Sequence, residues 1–175
     1  QPGEDLHRIR TLMTNMFEIV DEQLADALNV ILTGDRDLAR KVRKRDDAID
    51  DLEMQIDRVA EKVLVSRPEA AATIRFVMAA IKVNTDLERI GDHCRTIAKS
   101  AVNIEAETLR DHARHFDAMI FGVRTMLYAA QDALFQSQLS KAWELVMDGH
   151  SIGRLHLETL DAVMASSQTQ QSFET

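Results

Sequence analysis

Between residues 35 and 66 apolar side chains return in alternating steps of four and three: Leu38, Val42, Ile49, Leu52, Ile56, Val59 and Val63, with Arg45 at the one unfilled step. A strict 3.5-residue period belongs to a helix packed along its length in a left-handed bundle. Pro68 halts the run, because the residue before a proline avoids helical dihedrals. Upstream, Ile9, Leu12, Met13, Met16, Ile19, Val20, Leu24, Ala27 and Ile31 form a stripe of helical period over residues 5–33. Thr33-Gly34-Asp35 separates the two helices, with Gly34 placed as a C-cap and Asp35 as the next N-cap. A third helix, about 69–103, carries Val77, Ile81, Leu87, Ile90, Cys94, Ile97 and Ala101. Apolar residues make up 45% of the chain, aromatics only 5%, and there are 6 glycines and 2 prolines, which favours long helices over a sandwich. The expected fold is all-α: an antiparallel bundle of long helices. Three helices of about 30 residues with short connections run up, down and up, each about 45 Å long.

The pattern then echoes. Asp26-Ala27-Leu28 returns as Asp132-Ala133-Leu134, and Met13 and Val20 fall on Met119 and Met126. Ala39, Val42, Ile49 and Leu52 fall on Ala142, Leu145, Ile152 and Leu155. This internal repeat predicts a fourth helix over 106–136 and a fifth over 138–165. Residues 1–104 are read as a complete three-helix repeat and 105–175 as a partial one, two helices plus the polar tail Ser166 to Ser172. The missing third helix leaves an apolar groove, to be covered by a longer natural chain or another subunit. The absent initiator Met points to a fragment or a processed chain.

The chemistry gathers on the second and third helices. Glu88 and Asp92 stand four apart, so both carboxylates share one helix face. Gly91 lies between them, mid-helix, at a cost of about 1 kcal/mol relative to Ala. On the second helix Asp46, Asp50, Glu53, Asp57 and Glu61 line one edge of the apolar seam. Counted from the turn at Pro68, Asp46 and Asp50 lie at about the height of Glu88. Facing carboxylates on adjacent helices are how bundles hold oxygen-preferring cations or transition metals. The other reading is that Arg45, Arg89 and Arg95 neutralise them as structural ion pairs. Both stand open on sequence.

Other residues read more plainly. Met13 and Met16 are gap-filling core. His93 flanks the acidic pair one step off its face. Cys94 is a small core residue, His150 and His156 are surface residues, and Trp143 is a surface anchor for a partner. Glu4-x-x-His7 has di-iron spacing but occurs once, where that design needs two. The formal net charge of −8 argues against nucleic acid and against adhesion to anionic lipid. A single cysteine fits a reducing compartment. No run approaches a membrane span, and no secretory signal, phosphate loop, Ser-His-Asp arrangement or zinc-finger spacing is visible.

Asp86 to His93, D-L-E-R-I-G-D-H, resembles the signature of the PhoU family. The resemblance extends through D-x-x-I-D-x-L-E at Asp46 to Glu53 and to Met13, Met16 and Asp26 to Leu28 in the first helix. It implies a six-helix fold of two three-helix repeats, here with the second incomplete. It also implies a cytoplasmic regulator of phosphate uptake and phosphate-starvation signalling, peripheral at the inner face of the membrane, without membrane insertion. The implied partners are a phosphate transporter, a sensor histidine kinase and a second copy of the chain. The implied metal is iron, zinc or manganese, on Glu88 and Asp92 with Asp46, Asp50 and Glu53; no catalytic residue is implied. A domain of a sodium–phosphate cotransporter is the alternative within the family. From other classes, the rivals are a metal-dependent carboxylate-bundle enzyme and a purely structural partner-binding bundle.

Overall fold

A computed structural model describes residues 2–66, 70–104, 106–136 and 149–164 of the chain. Its elements are α1 (Pro2–Thr33), α2 (Arg36–Val65), α3 (Ala71–Ala101), α4 (Ala106–Arg110) and α5 (Ala113–Gln136). A further helical segment covers 149–164. Every described element is a helix, as the stripes predict. Trp143, Pro68 and the polar tail lie outside the described residues, as does the first part of the expected fifth helix.

The connection between α1 and α2 is made by two residues with different tasks. Gly34 takes a φ of 67°, a left-handed conformation that costs an L side chain energy. Its amide donates to the Val30 carbonyl at 2.8 Å. Asp35 then caps α2: its carboxylate accepts from the amides of Asp37 and Leu38 at 2.8 and 3.0 Å.

α1, α2 and α3 share one core. Ile9, Met13, Met16 and Val20 of α1 meet Val42, Ile49, Ile56 and Val63 of α2 and Val77, Leu87 and Ala98 of α3, all essentially without solvent exposure. Each large side chain so buried contributes about 1.5–3 kcal/mol. The unfilled heptad step at Arg45 has a structural answer. Arg45 turns outward to Asp26 at 2.7 Å, and Asp46 is the buried residue at that level.

The expected single helix over 106–136 is corrected: α4 and α5 are separated by a turn at Asp111 and His112. The His112 amide bonds back to the Leu109 carbonyl at 3.1 Å, a three-residue step that ends the α-helical ladder. A tertiary contact accompanies the break. Arg110 Nε donates at 3.0 Å to the Leu32 carbonyl, one of the carbonyls that the end of α1 leaves without a helical partner. At the same end of the bundle Arg36 reaches the Val102 carbonyl beyond α3 at 3.4 Å.

α5 lies mainly along α1 and touches α3 lightly. Arg124 grips Asp21 with two N–H groups, at 2.6 and 2.8 Å, and the Tyr128 hydroxyl donates to the same carboxylate at 2.8 Å. Phe17 and Phe135 meet edge to face with centroids 6.3 Å apart. In the 149–164 helix, Ile152 closes on Gly122 of α5. Ile49, its counterpart in the sequence echo, closes on Gly91 of α3. Between α1, α3, α5 and 149–164 opens an apolar cavity of about 560 Å³, lined by Phe17, Leu87, Met126 and Ile152 among others.

The Arg124–Asp21 grip generates a prediction. Arg124→Ala should weaken the docking of α5 by about 1–2 kcal/mol. Hydrogen exchange would then quicken in 113–136 while α1 to α3 keep their protection. The hydrogen bond from Arg124 lowers the pKa of Asp21. Its contribution is therefore present above about pH 4 and is lost as pH falls through the lowered value.

Candidate functional site

Side-chain contacts fix the register of α2 against α3. At one level Asp46 meets Arg95; further along, Asn84 Nδ2 donates to the Glu53 carbonyl at 3.2 Å and to Asp57 Oδ1 at 3.1 Å. The helices are antiparallel, so Asp50 falls between these two contacts on α2, with Glu53 at the second of them, and Glu88 falls between them on α3. All five candidate ligands thus lie on one seam. Asp46 is buried, Glu53, Glu88 and Asp92 are half-buried, and Asp50 is exposed.

The seam holds more negative charge than its cations answer. Burial raises the pKa of Glu88, and the charges of Asp92, Glu53, Asp50 and Asp46 raise it further. Burial also raises Glu53, with help from Asp57 and Asp50. Asp46 is raised by burial against the opposing pull of Arg95. Of the three arginines expected to neutralise the seam, Arg95 does so, bridging Asp46 at 2.8 Å and Asp92 at 2.5 Å. Arg45 is engaged with Asp26 and Glu22 instead. Among the described residues no cation pairs with Asp50, Glu53 or Glu88.

Gly91 sets how closely the helices approach. A Cβ there would stand 2.8 Å from Ile49 Cδ1, 3.4 Å from Gln23 Oε1 and 3.5 Å from Asp46 Oδ1. Close packing thus accounts for a glycine in mid-helix. Gln23, fully buried on α1, ties the three helices at this level: its Nε2 donates to the Val42 carbonyl at 3.1 Å and the Gly91 carbonyl at 3.4 Å. Its Oε1 has no donor, and neither does Oδ1 of the equally buried Asn84. Sequence reading missed both amides. The available signal was a polar residue within an apolar stripe, as Gln23 is between Val20 and Leu24.

An all-oxygen, acidic donor set suits hard cations, and an orphaned amide oxygen beside Asp46 suits them further. Among the described residues, however, no three His, Cys, Asp or Glu side chains converge on one ion as they stand. His93 is exposed on the flank. Cys94 is buried, and burial pushes its thiol up to about 12, so it is not a reactive thiolate.

A raised folded-state pKa gives stability that is present below the unfolded value, about 4, and lost as pH rises through the folded one. With chelator present, the protein should therefore melt at a higher temperature at pH 5 than at pH 7. Calorimetry checks this; a melting temperature that rises from pH 5 to pH 7 would show that the carboxylates do not repel one another.

The family model described as "PhoU domain" matches residues 13–101, which include the whole seam. The chain is 28% identical over 153 residues to the phosphate-specific transport system accessory protein PhoU homolog of Clostridium acetobutylicum, covering 87% of this chain and 70% of that one. It is 33% identical over 137 residues to the similarly named protein of Pseudomonas aeruginosa, covering 76% of this chain and 55% of that one. The chain thus spans little more than half of the second relative's length. The crystal structure of PhoU from Pseudomonas aeruginosa has the same fold, with a TM-score of 0.86 over 98% of this chain and 83% of that chain, at 24% identity. With more than half of its length matched by the family model, the chain belongs to the PhoU family.

Proposed function

We propose that this protein is an accessory regulator of phosphate uptake that damps phosphate-starvation signalling. The observation that carries the reading is family membership, together with relatives named as accessory proteins of a phosphate-specific transport system. In this reading the protein docks on the cytoplasmic side of a phosphate transporter and on its sensor histidine kinase, as a homodimer. It regulates and does not catalyse. No helix among the described residues is long and apolar enough to cross a membrane, which is compatible with a peripheral position.

The acidic seam supplies the second part of the proposal. Glu88, Asp92, Asp46, Asp50 and Glu53 would hold a cation, among which iron, zinc and manganese are the candidates. A bound cation would neutralise repelling charges and tie α2 to α3. The support is chemical: oxygen donors on facing helices, with pKa values raised by burial and by one another.

Two measurements test the two parts. In a bacterial strain lacking its own accessory regulator, expression of the chain should restore repression of a phosphate-starvation reporter in high phosphate. A well-expressed protein that neither represses nor co-purifies with the transporter would overturn the regulatory reading. Elemental analysis of the purified protein should find metal. The double substitution Glu88→Ala with Asp92→Ala should remove it while circular dichroism stays nearly unchanged. A double variant with full metal content would rule out the seam.

A further inference from the structure

The inner end of the seam already holds a cation belonging to the chain itself. Arg95 Nη1 lies 2.8 Å from Asp46 Oδ2, and Nη2 lies 2.5 Å from Asp92 Oδ1. One acceptor is on α2 and the other on α3, so the guanidinium bridges the two helices. The Asp46 side chain is 5% exposed and that of Arg95 is 45% exposed. A buried carboxylate is costly without a counter-charge, so Asp46 needs this partner or another. Arg95, by contrast, has open solvent on one side and can leave.

Arg95 does not satisfy everything at this end. It takes Oδ2 of Asp46, while Oδ1 lies beside Gly91, 3.5 Å from the point where a Cβ would stand. Gln23 Oε1 is 3.4 Å from the same point, fully buried and without a donor. The Gln23 amide is held in this sense because its Nε2 already serves two backbone carbonyls. Turning it over would set oxygen against oxygen. Gln23 Oε1 of α1, which meets no donor, and Asp46 Oδ1 of α2 therefore both lie beside Gly91, with Ile49 Cδ1 2.8 Å from the same point. A guanidinium is planar and donates only within its fork, whereas a compact divalent cation gathers oxygens from all sides.

We infer that Arg95 is a tethered counter-ion standing in the place of a free, oxygen-preferring divalent cation at Asp46 and Asp92, and that its guanidinium must swing out before such a cation binds there. This rests on the reading of the seam as a cation site and adds to it a residue that competes with the ion. Asp46, Asp92 and Gln23 Oε1 are the oxygens left to the ion once Arg95 has moved. Arg95 also accounts for the absence of a converged set of ligands among the described residues. The inner two carboxylates are already spanned by a side chain.

The test is Mn²⁺ binding to the full chain, followed by the electron spin resonance of free Mn²⁺, in wild type, Arg95→Gln and Arg95→Lys. Arg95→Gln should bind Mn²⁺ about tenfold tighter than wild type or better, although its metal-free melting temperature is lower. Arg95→Lys, which keeps the charge but loses the fork, should fall between. A purely structural role would not raise affinity, because losing a bridge loosens the site. If wild type binds and Arg95→Gln binds no tighter, the inference is overturned and the cation reading stands. Binding by Arg95→Gln alone would uphold the inference and end the cation reading for the native chain. If neither binds, both fall. A measurement without substitution covers the case of a variant that does not fold. In wild type saturated with Mg²⁺, the Arg95 Nη1–H and Nη2–H resonances should lose their protection from exchange; unchanged resonances overturn the inference.

Discussion

Asp46 is a carboxylate with 5% of its side chain exposed, set within the core of three long helices. A charge in that position must be answered, and the surrounding structure is arranged to do so. Arg95 reaches in from α3, Gln23 holds the backbones of α2 and α3 at the same level, and Gly91 lets those backbones come close enough for both. Apart from this level and the bonds of buried Asn84 to Glu53 and Asp57, the core is aliphatic and would tolerate a sliding register. The polar layer does not, because displacement by one helical turn would separate Asp46 from Arg95 and orphan the Gln23 amide. A buried polar contact of this kind fixes alignment more than it adds stability. Alignment is what a facing pair of acidic ladders needs.

The two parts of the chain are joined in different ways. α1, α2 and α3 interdigitate over their whole length through side chains such as Met16, Ile49 and Leu87. α5 is fastened to α1 by the Asp21, Arg124 and Tyr128 group and by aromatic edges, with an apolar cavity on its α3 side. Association through a few polar fastenings is reversible at lower cost than a continuous core. The less tightly packed half also shows Phe121, Tyr128, Leu157 and Met164 to solvent.

The first three helices and their caps were legible because their causes are local. A 3.5-residue stripe, Gly34 and Asp35 act within a few residues of where they stand. The gathering of Glu88, Asp92, Asp46, Asp50 and Glu53 on one seam was also legible, since antiparallel helices of known rise fix heights. The break at His112 was not, because it is coupled to a contact between Arg110 and a carbonyl 78 positions earlier. Nor could spacing show which arginine serves the seam. Arg45 and Arg95 are both within reach on paper, and the choice depends on Asp26 drawing Arg45 to the other side of α2. Gln23 escaped notice because its task is to serve backbone groups, which leave no trace in a pattern of side chains.

The arginines at the ends of α1 and α3 have a wider consequence. Helices packed antiparallel cancel their macrodipoles in pairs, and a bundle of three leaves one uncancelled. Within that core α1 and α3 both finish at the end where α2 begins, so two sets of carbonyls face the amides of α2, and α5, antiparallel to α1, adds its own amides there. Arg110 and Arg36 stand there and donate to Leu32 and Val102. At the opposite end α1 opens with Glu4 and Asp5, of the sign that end requires, and Asp5 pairs with Lys62 near the close of α2. The three-helix core thus carries a built-in polarity along its long axis, offset in part by the antiparallel α5 and trimmed by ionisable side chains at both tips.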